Sequence, residues 1–103
     1  MAESAREAAG KSVDEDRLLE GEDPKSRYLD DAAHWVTVYS QLLAVKSELL
    51  TASEVRLPAL QPEARHEIAS TDLVVLDAEM KRFSRRLGYW RQRCLELGAP
   101  ARP

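Results

Sequence analysis

Steps of four and three residues, taken in turn from Ala69, land on Leu73, Leu76, Met80, Phe83, Leu87, Trp90, Cys94 and Leu97. Every stop is apolar or, at Cys94, a small thiol of the kind that cores accept. This alternation averages 3.5 residues, the period of a helix packed lengthwise against another helix. The residues between the stops are mostly polar or charged. A chain carrying this stripe is committed to helix over the stretch and needs a partner helix to cover it.

The partner lies upstream. Asp23-Pro24 predicts a helix start, with Asp as N-cap acceptor and Pro at the first helical position, where its missing donor costs nothing. From there a helix is expected to run towards Val55. Trp35, Val38, Leu42, Val45 and Leu49 form one apolar row on it, one heptad after Tyr28. A second row, Leu29, Val36, Leu43 and Leu50, lies about 100° round the axis. Tyr39 falls between the two. Leu57-Pro58 ends the helix, because the residue before proline avoids the helical region. A loop over Arg56–Gln61 follows, and Pro62 opens the next helix, with Glu63 and Glu67 suited to its positive end. Ser70-Thr71-Asp72 is a run of poor helix formers that marks a kink or a break. Gly98 and Pro100 close the second helix.

The expected fold is all-α: an antiparallel two-helix hairpin of coiled-coil character, helices at Pro24–Val55 and Pro62–Leu97. Folding about the loop centre pairs Leu49 with Ile68 or Ala69, Leu42 with Leu76, Trp35 with Phe83, and Tyr28 with Trp90. Aromatic residues then gather at the end away from the loop. Residues 23–98 form the hairpin domain and 99–103 a frayed C-terminus. Residues 1–22 form a flexible acidic segment, with disorder expected before Asp14. After Asp14 a short docked helix is an option, involving Val13, Arg17, Leu18 and Leu19 and stopped by Gly21. At 103 residues, with 44% hydrophobic and 32% charged, the chain allows one domain whose two-helix core is thin. The apolar sector of the first helix is wider than one seam requires. Pairing of two hairpins into a four-helix bundle would cover it.

The polar residues offer little chemistry. Lys81, Arg82, Arg85, Arg86, Arg91 and Arg93 follow one another without an intervening acid. They form a basic face that either contacts nucleic acid, chiefly through Lys81, Arg82, Arg85, Arg86 and Arg93, or is neutralised within the chain. Asp30 and Asp31 are expected near Arg86, with the acidic stretch Asp14–Asp23 just beyond. Asp31 with His34, and Glu63 with His66, have the carboxylate-x-x-His spacing of dimetal bundles. The hairpin, however, sets the two histidines at opposite ends, so no metal is expected. Cys94 sits on the seam near a helix C-terminus, where a packed thiol is expected rather than a nucleophile. The glycines are scattered and build no phosphate loop. No cofactor and no catalytic residue is expected. The longest apolar runs, Leu42–Val45 among them, are four residues, so no membrane span is expected. The N-terminus lacks an apolar signal region, and one cysteine suits a reducing compartment, so the cytoplasm is expected.

The segments Asp31–Tyr39, Leu42–Lys46 and Leu87–Arg91 resemble small uncharacterised helical-hairpin proteins of high-GC bacteria, and arginine outnumbers lysine accordingly. The resemblance implies a hairpin kept as a unit and brings no activity. The expected function is a non-enzymatic protein-interaction module whose partner is itself or another helical protein. Leu29, Val36, Tyr39, Leu43 and Leu50 are the candidate docking residues. A regulatory nucleic-acid binder using the basic face is the alternative.

Overall fold

The computed structural model describes residues 14–98. Among these are three α-helices and no strand: α1 (Leu29–Arg56), α2 (Pro62–Ser70) and α3 (Asp72–Gly98), with a 3-10 turn over Leu57–Ala59. The fold is an all-α helical hairpin in which α1 packs along α3. The disorder expected before Asp14 and the fraying of 99–103 fall outside the described residues.

α1 starts five residues later than Asp23-Pro24 predicts. Asp23 and Pro24 build a turn instead: the Ser26 N–H donates to the Asp23 carbonyl at 3.1 Å and the Lys25 N–H to Asp23 Oδ1 at 2.9 Å. Asp followed by Pro is as good a turn opening as a helix opening, since Pro sets the φ of the first central turn residue. Tyr28 is extended, at φ −96° and ψ 126°, and the first helical bond runs from Ala32 N–H to its carbonyl. α1 ends at Arg56, next to the expected stop, but Leu57 stays in the helical region, at φ −51° and ψ −47°, and a 3-10 turn follows. Pro58 ends the α-helix by lacking an N–H for its ladder, not by moving the residue before it. The break at residues 70–72 is also present. Thr71 leaves the helical region, at φ −124° and ψ −75°, and its hydroxyl donates back to the Glu67 carbonyl at 2.6 Å. The Val75 N–H bonds the Thr71 carbonyl at 3.0 Å and restarts the helix.

The hairpin register differs from simple folding about the loop. Trp35 stacks on Trp90, with centroids 6.5 Å apart, rather than meeting Phe83. Phe83 meets Tyr39 at 6.0 Å, and Lys46 reaches Glu79 at 3.5 Å. The turn therefore centres nearer Pro62 than Leu57, since the 3-10 turn extends α1 before the chain reverses. The fully covered core is Ala32, Tyr39, Phe83, Leu87 and Trp90, and Leu19, Trp35, Val36, Leu42, Leu43, Cys94 and Leu97 pack around it. Aromatics do gather away from the loop.

The two rows of α1 are covered differently from expectation. Val36 and Leu43 of the second row pack on the core, and Leu50 is half-buried. In the first row, Val45 and Leu49 are 54% and 50% exposed. The axis of contact passes through Ala32 and Tyr39, so both rows are used near Trp35 and the second is favoured towards the loop. Leu76 is the one buried residue of α3 towards the loop, and α2 buries none.

Residues 14–28 take neither the helical nor the loose form. They run as a strap of successive turns along α3. Gly21 makes the sharpest of these, at φ 85°, where a side chain would be strained.

The uneven core gives a direct expectation. Phe83→Ala should cost about 3–5 kcal/mol by denaturant unfolding, and Val55→Ala, with 74% of Val55 exposed, less than about 0.5 kcal/mol. Equal losses would refute this division of the hairpin.

Candidate functional site

Trp and Tyr on a core-facing stripe bring an N–H and an O–H inside that need acceptors. Trp90 of α3 and Tyr39 of α1 are both fully buried, and the strap supplies the acceptor for both: Glu22. The turn at Leu19–Glu22, closed by the Glu22 N–H on the Leu19 carbonyl at 3.1 Å, aims its carboxylate between the helices. Oε1 accepts from the Tyr39 hydroxyl and from the Leu19 N–H at 2.9 Å. Oε2 accepts from Trp90 Nε1 at 2.7 Å and from Arg86 Nε and Nη2 at 3.1 and 2.8 Å. The Glu22 side chain is fully buried and that of Arg86 11% exposed.

Burial alone would raise the Glu22 carboxyl. The bonds from Tyr39, the Leu19 amide, Trp90 and Arg86 outweigh it and hold the group below its ordinary value. Tyr39 responds in the opposite sense: burial, then the bond to Glu22 and its charge, push the phenol up to about 12. Arg86 is held above its ordinary value by Glu22, against the pull of burial. The site thus contains a fixed carboxylate, a fixed guanidinium and a neutral phenol. The three groups hold the strap, α1 and α3 at one point.

Other α3 side chains hold the strap by its backbone. Arg82 Nε donates to the Arg17 carbonyl at 3.0 Å, the Tyr89 hydroxyl to the Pro24 carbonyl, and Arg93 Nη2 to the Ser26 carbonyl at 3.0 Å. Arg85 reaches Asp16 at 3.0 Å and Glu15 at 3.7 Å, and Arg86 also lies over the Tyr89 ring. The basic face read from sequence is therefore partly engaged, with Arg91 exposed and Lys81 and Arg85 keeping 65% and 60% of their side chains in solvent. Lys81 pairs with Asp77, Arg93 with Glu96, and Arg82, Arg85 and Arg86 with the strap. Arg82 is only 2% exposed. The acidic stretch expected just beyond the set lies on it and engages Arg82, Arg85 and Arg86. Asp31 takes the Ser26 hydroxyl at 2.5 Å instead of approaching Arg86.

The candidate docking residues are scattered by burial. Tyr39 is fully covered and serves Glu22, so it is no docking residue. Val36 and Leu43 pack on the core and Leu50 is half-covered, because this row faces α3; Leu29 keeps 44% exposure beside Gly98. Exposed aliphatics stand at both ends: Leu18, Leu29 and Leu95 singly at the end away from the loop, and Val45, Leu49, Val55 and Leu60 on α1 and the turn after it at the loop half. Beside them an open apolar cavity of about 240 Å³ is lined by Ser53, Arg56, Leu57, Leu60 and Ile68. His34 edges onto Trp35 at 5.0 Å and His66 is exposed on α2, at opposite ends of the hairpin. Cys94 is half-buried against the core.

Comparison with protein-family models, curated proteins and solved structures finds no match. No helix among the described residues is long and apolar enough to cross a membrane.

The electrostatics of Glu22 and Tyr39 bound the stability from both sides. The Glu22 contribution is complete above its ordinary 4.5 and is lost as the pH falls through its lower folded value. The Tyr39 contribution is complete below pH 10 and is lost as the pH rises towards 12, a span worth roughly 3 kcal/mol. Unfolding titrations across pH should show this plateau, and Tyr39→Phe should remove its alkaline limb. Glu22→Gln should remove the Glu22 part of the acid limb and lower the plateau by about 3 kcal/mol or more, since it leaves Arg86 charged and unpaired. An unchanged plateau in Glu22→Gln would contradict this assignment.

Proposed function

We propose that the protein is a non-enzymatic helical interaction module whose partner is a second copy of the same chain. The two hairpins would pair through their loop halves into a four-helix bundle. The observation that carries this reading is the uncovered aliphatic flank of α1 and the turn after it. Val45, Leu49, Val55 and Leu60 are 54%, 50%, 74% and 37% exposed, on a hairpin half with little buried core of its own.

The flank is self-complementary, as a two-fold interface requires. Val38, Val45, Leu49 and Ala52 lie along one stripe at helix-pairing intervals. A two-fold axis beside Ala52, with the two copies of α1 antiparallel, sets Leu49 against Val55 and Val45 against Ala59 of the other copy. It also sets Glu48 against Arg56, so the charges on the rim are matched. Ala52, at the axis, is small enough to let the helices approach closely. The cavity between Arg56, Leu60 and Ile68 lies beside this contact and would be closed by it. At about 25 cal/mol per Å², covering these side chains on two copies contributes several kcal/mol towards the cost of association. One free cysteine, Cys94, suits a reducing compartment, and a cytoplasmic location belongs to the same proposal.

Sedimentation equilibrium tests the reading. The unaltered chain should run at twice its formula mass. The double variant Val45→Asp, Leu49→Asp should run as a monomer with unchanged helicity, because neither residue is needed inside. Leu43→Asp, by contrast, should lose helicity, because Leu43 packs on the core. A monomeric unaltered chain at high concentration rejects the proposal.

A further inference from the structure

The strap is held in an unusual way for a piece of its own fold. Among the described residues it has one half-buried aliphatic on the core, Leu19, while Leu18 and Tyr28 stay exposed. It forms no helix or strand. What fixes it inside is the Glu22 carboxylate and three of its own carbonyls, those of Arg17, Pro24 and Ser26, each taken by an α3 side chain, with exposed pairs from Arg85 to Asp16 and Glu15 and the Ser26–Asp31 bond besides. That is how a peptide-binding groove reads a ligand: through the backbone, with one specificity pocket.

The groove also holds donors that the strap leaves idle. Arg82 Nη2 and Arg93 Nε are buried without a partner among the described residues, one near each end of the strap. Arg82 is 2% exposed, so water does not readily serve it. A buried unpaired donor is costly, and a ligand with an acceptor in reach of it recovers that cost. Charge points the same way. Asp14–Asp23 contains six acids and one Arg, and the α3 face opposite presents Arg82, Arg85, Arg86 and Arg93.

We propose that the groove between α1 and α3 is a binding site for an extended acidic peptide of a partner protein, with Asp14–Tyr28 as its resident, autoinhibitory occupant. The recognition element is a leucine followed three residues later by a glutamate, as Leu19 and Glu22 stand here. The leucine packs on the core, and the glutamate enters between Tyr39, Trp90 and Arg86. A partner segment with further acceptors against Arg82 and Arg93 displaces the strap. This site lies at the end of the hairpin away from the loop and is independent of self-association.

The test uses the full chain carrying Glu22→Ala and a synthetic peptide of residues 14–28. The peptide should raise the melting temperature of this variant and change its tryptophan fluorescence, which comes from the stacked pair Trp35 and Trp90. The same peptide with Ala at position 22 should bind on the order of tenfold more weakly or worse, and the unaltered chain should respond to neither. Failure of the peptide to bind a helical Glu22→Ala chain overturns the proposal, as does equal binding of the two peptides. Retention of a single-stranded oligonucleotide without any response to peptide overturns it in favour of a nucleic-acid groove. Should Glu22→Ala lose its helicity, amide exchange in the unaltered chain decides. The N–H groups of Leu19, Glu22 and Ser26 should exchange well before those of Tyr39 and Leu87. Exchange of all five at one common rate means that the strap leaves only when the whole domain unfolds, and there is no exchangeable occupant.

Discussion

A carboxylate stripped of water between two helices is tolerated only when its bonds replace hydration almost completely. Glu22 meets that condition, and the structure is arranged around its doing so. Its two oxygens tie a residue of α1, two residues of α3 and an amide of the strap to one point. Apolar contacts between long helices tolerate sliding, because one Leu resembles the next. The bonds to Glu22 do not, since a shift of one turn would strand a charge. The pairing of Trp35 with Trp90 and of Tyr39 with Phe83 is the register that lets the phenol and the indole reach one carboxylate.

Much of the helical framework was legible because it rests on short-range signals. The seam of α3 is a repeated period. Pro58 and Pro62 forbid particular backbone geometries, and Ser70-Thr71-Asp72 offers hydroxyls that compete with the helix for its own carbonyls. The start of α1 was misplaced because Asp-Pro carries two meanings, cap and turn, and only the distant Tyr89 and Arg93, which take the turn's carbonyls, favour the second. Glu22 was missed for a related reason. It is one of 18 acids, in a stretch poor in apolar residues, and nothing local separates a buried carboxylate from a solvated one. The pointer lay on the helices: a Tyr and a Trp at inward positions owe hydrogen bonds, and Arg82 and Arg86 sit one turn apart beside the seam. Together they require an acceptor that the hairpin alone lacks.

The exchange of roles between the two α1 rows follows from the same cause. Two rows 100° apart are equally apolar on paper, so composition cannot choose which faces α3. Tyr39 chooses. Its hydroxyl must reach Glu22, which turns α1 until the line through Ala32 and Tyr39 faces inward. Val36 and Leu43 are carried onto the core by that rotation, and Val45 and Leu49 are carried off it. The flank offered for self-association is in this sense a by-product of the polar latch two to three turns away.

The two ends of the hairpin also place conflicting demands on the chain. The latch fixes how far α1 and α3 are offset, while Pro58 and Pro62 fix where the chain can turn. A single unbroken helix from Pro62 to Gly98 would have to satisfy both with one straight axis. The break at Thr71 removes that requirement: α2 can follow the turn while α3 keeps the register set at Glu22. The cost is a loop half whose elements pack less completely, with no buried residue on α2 and an open cavity beneath it. The buried polar latch at one end and the loosely packed aliphatic flank of α1 at the other are thus two outcomes of one constraint.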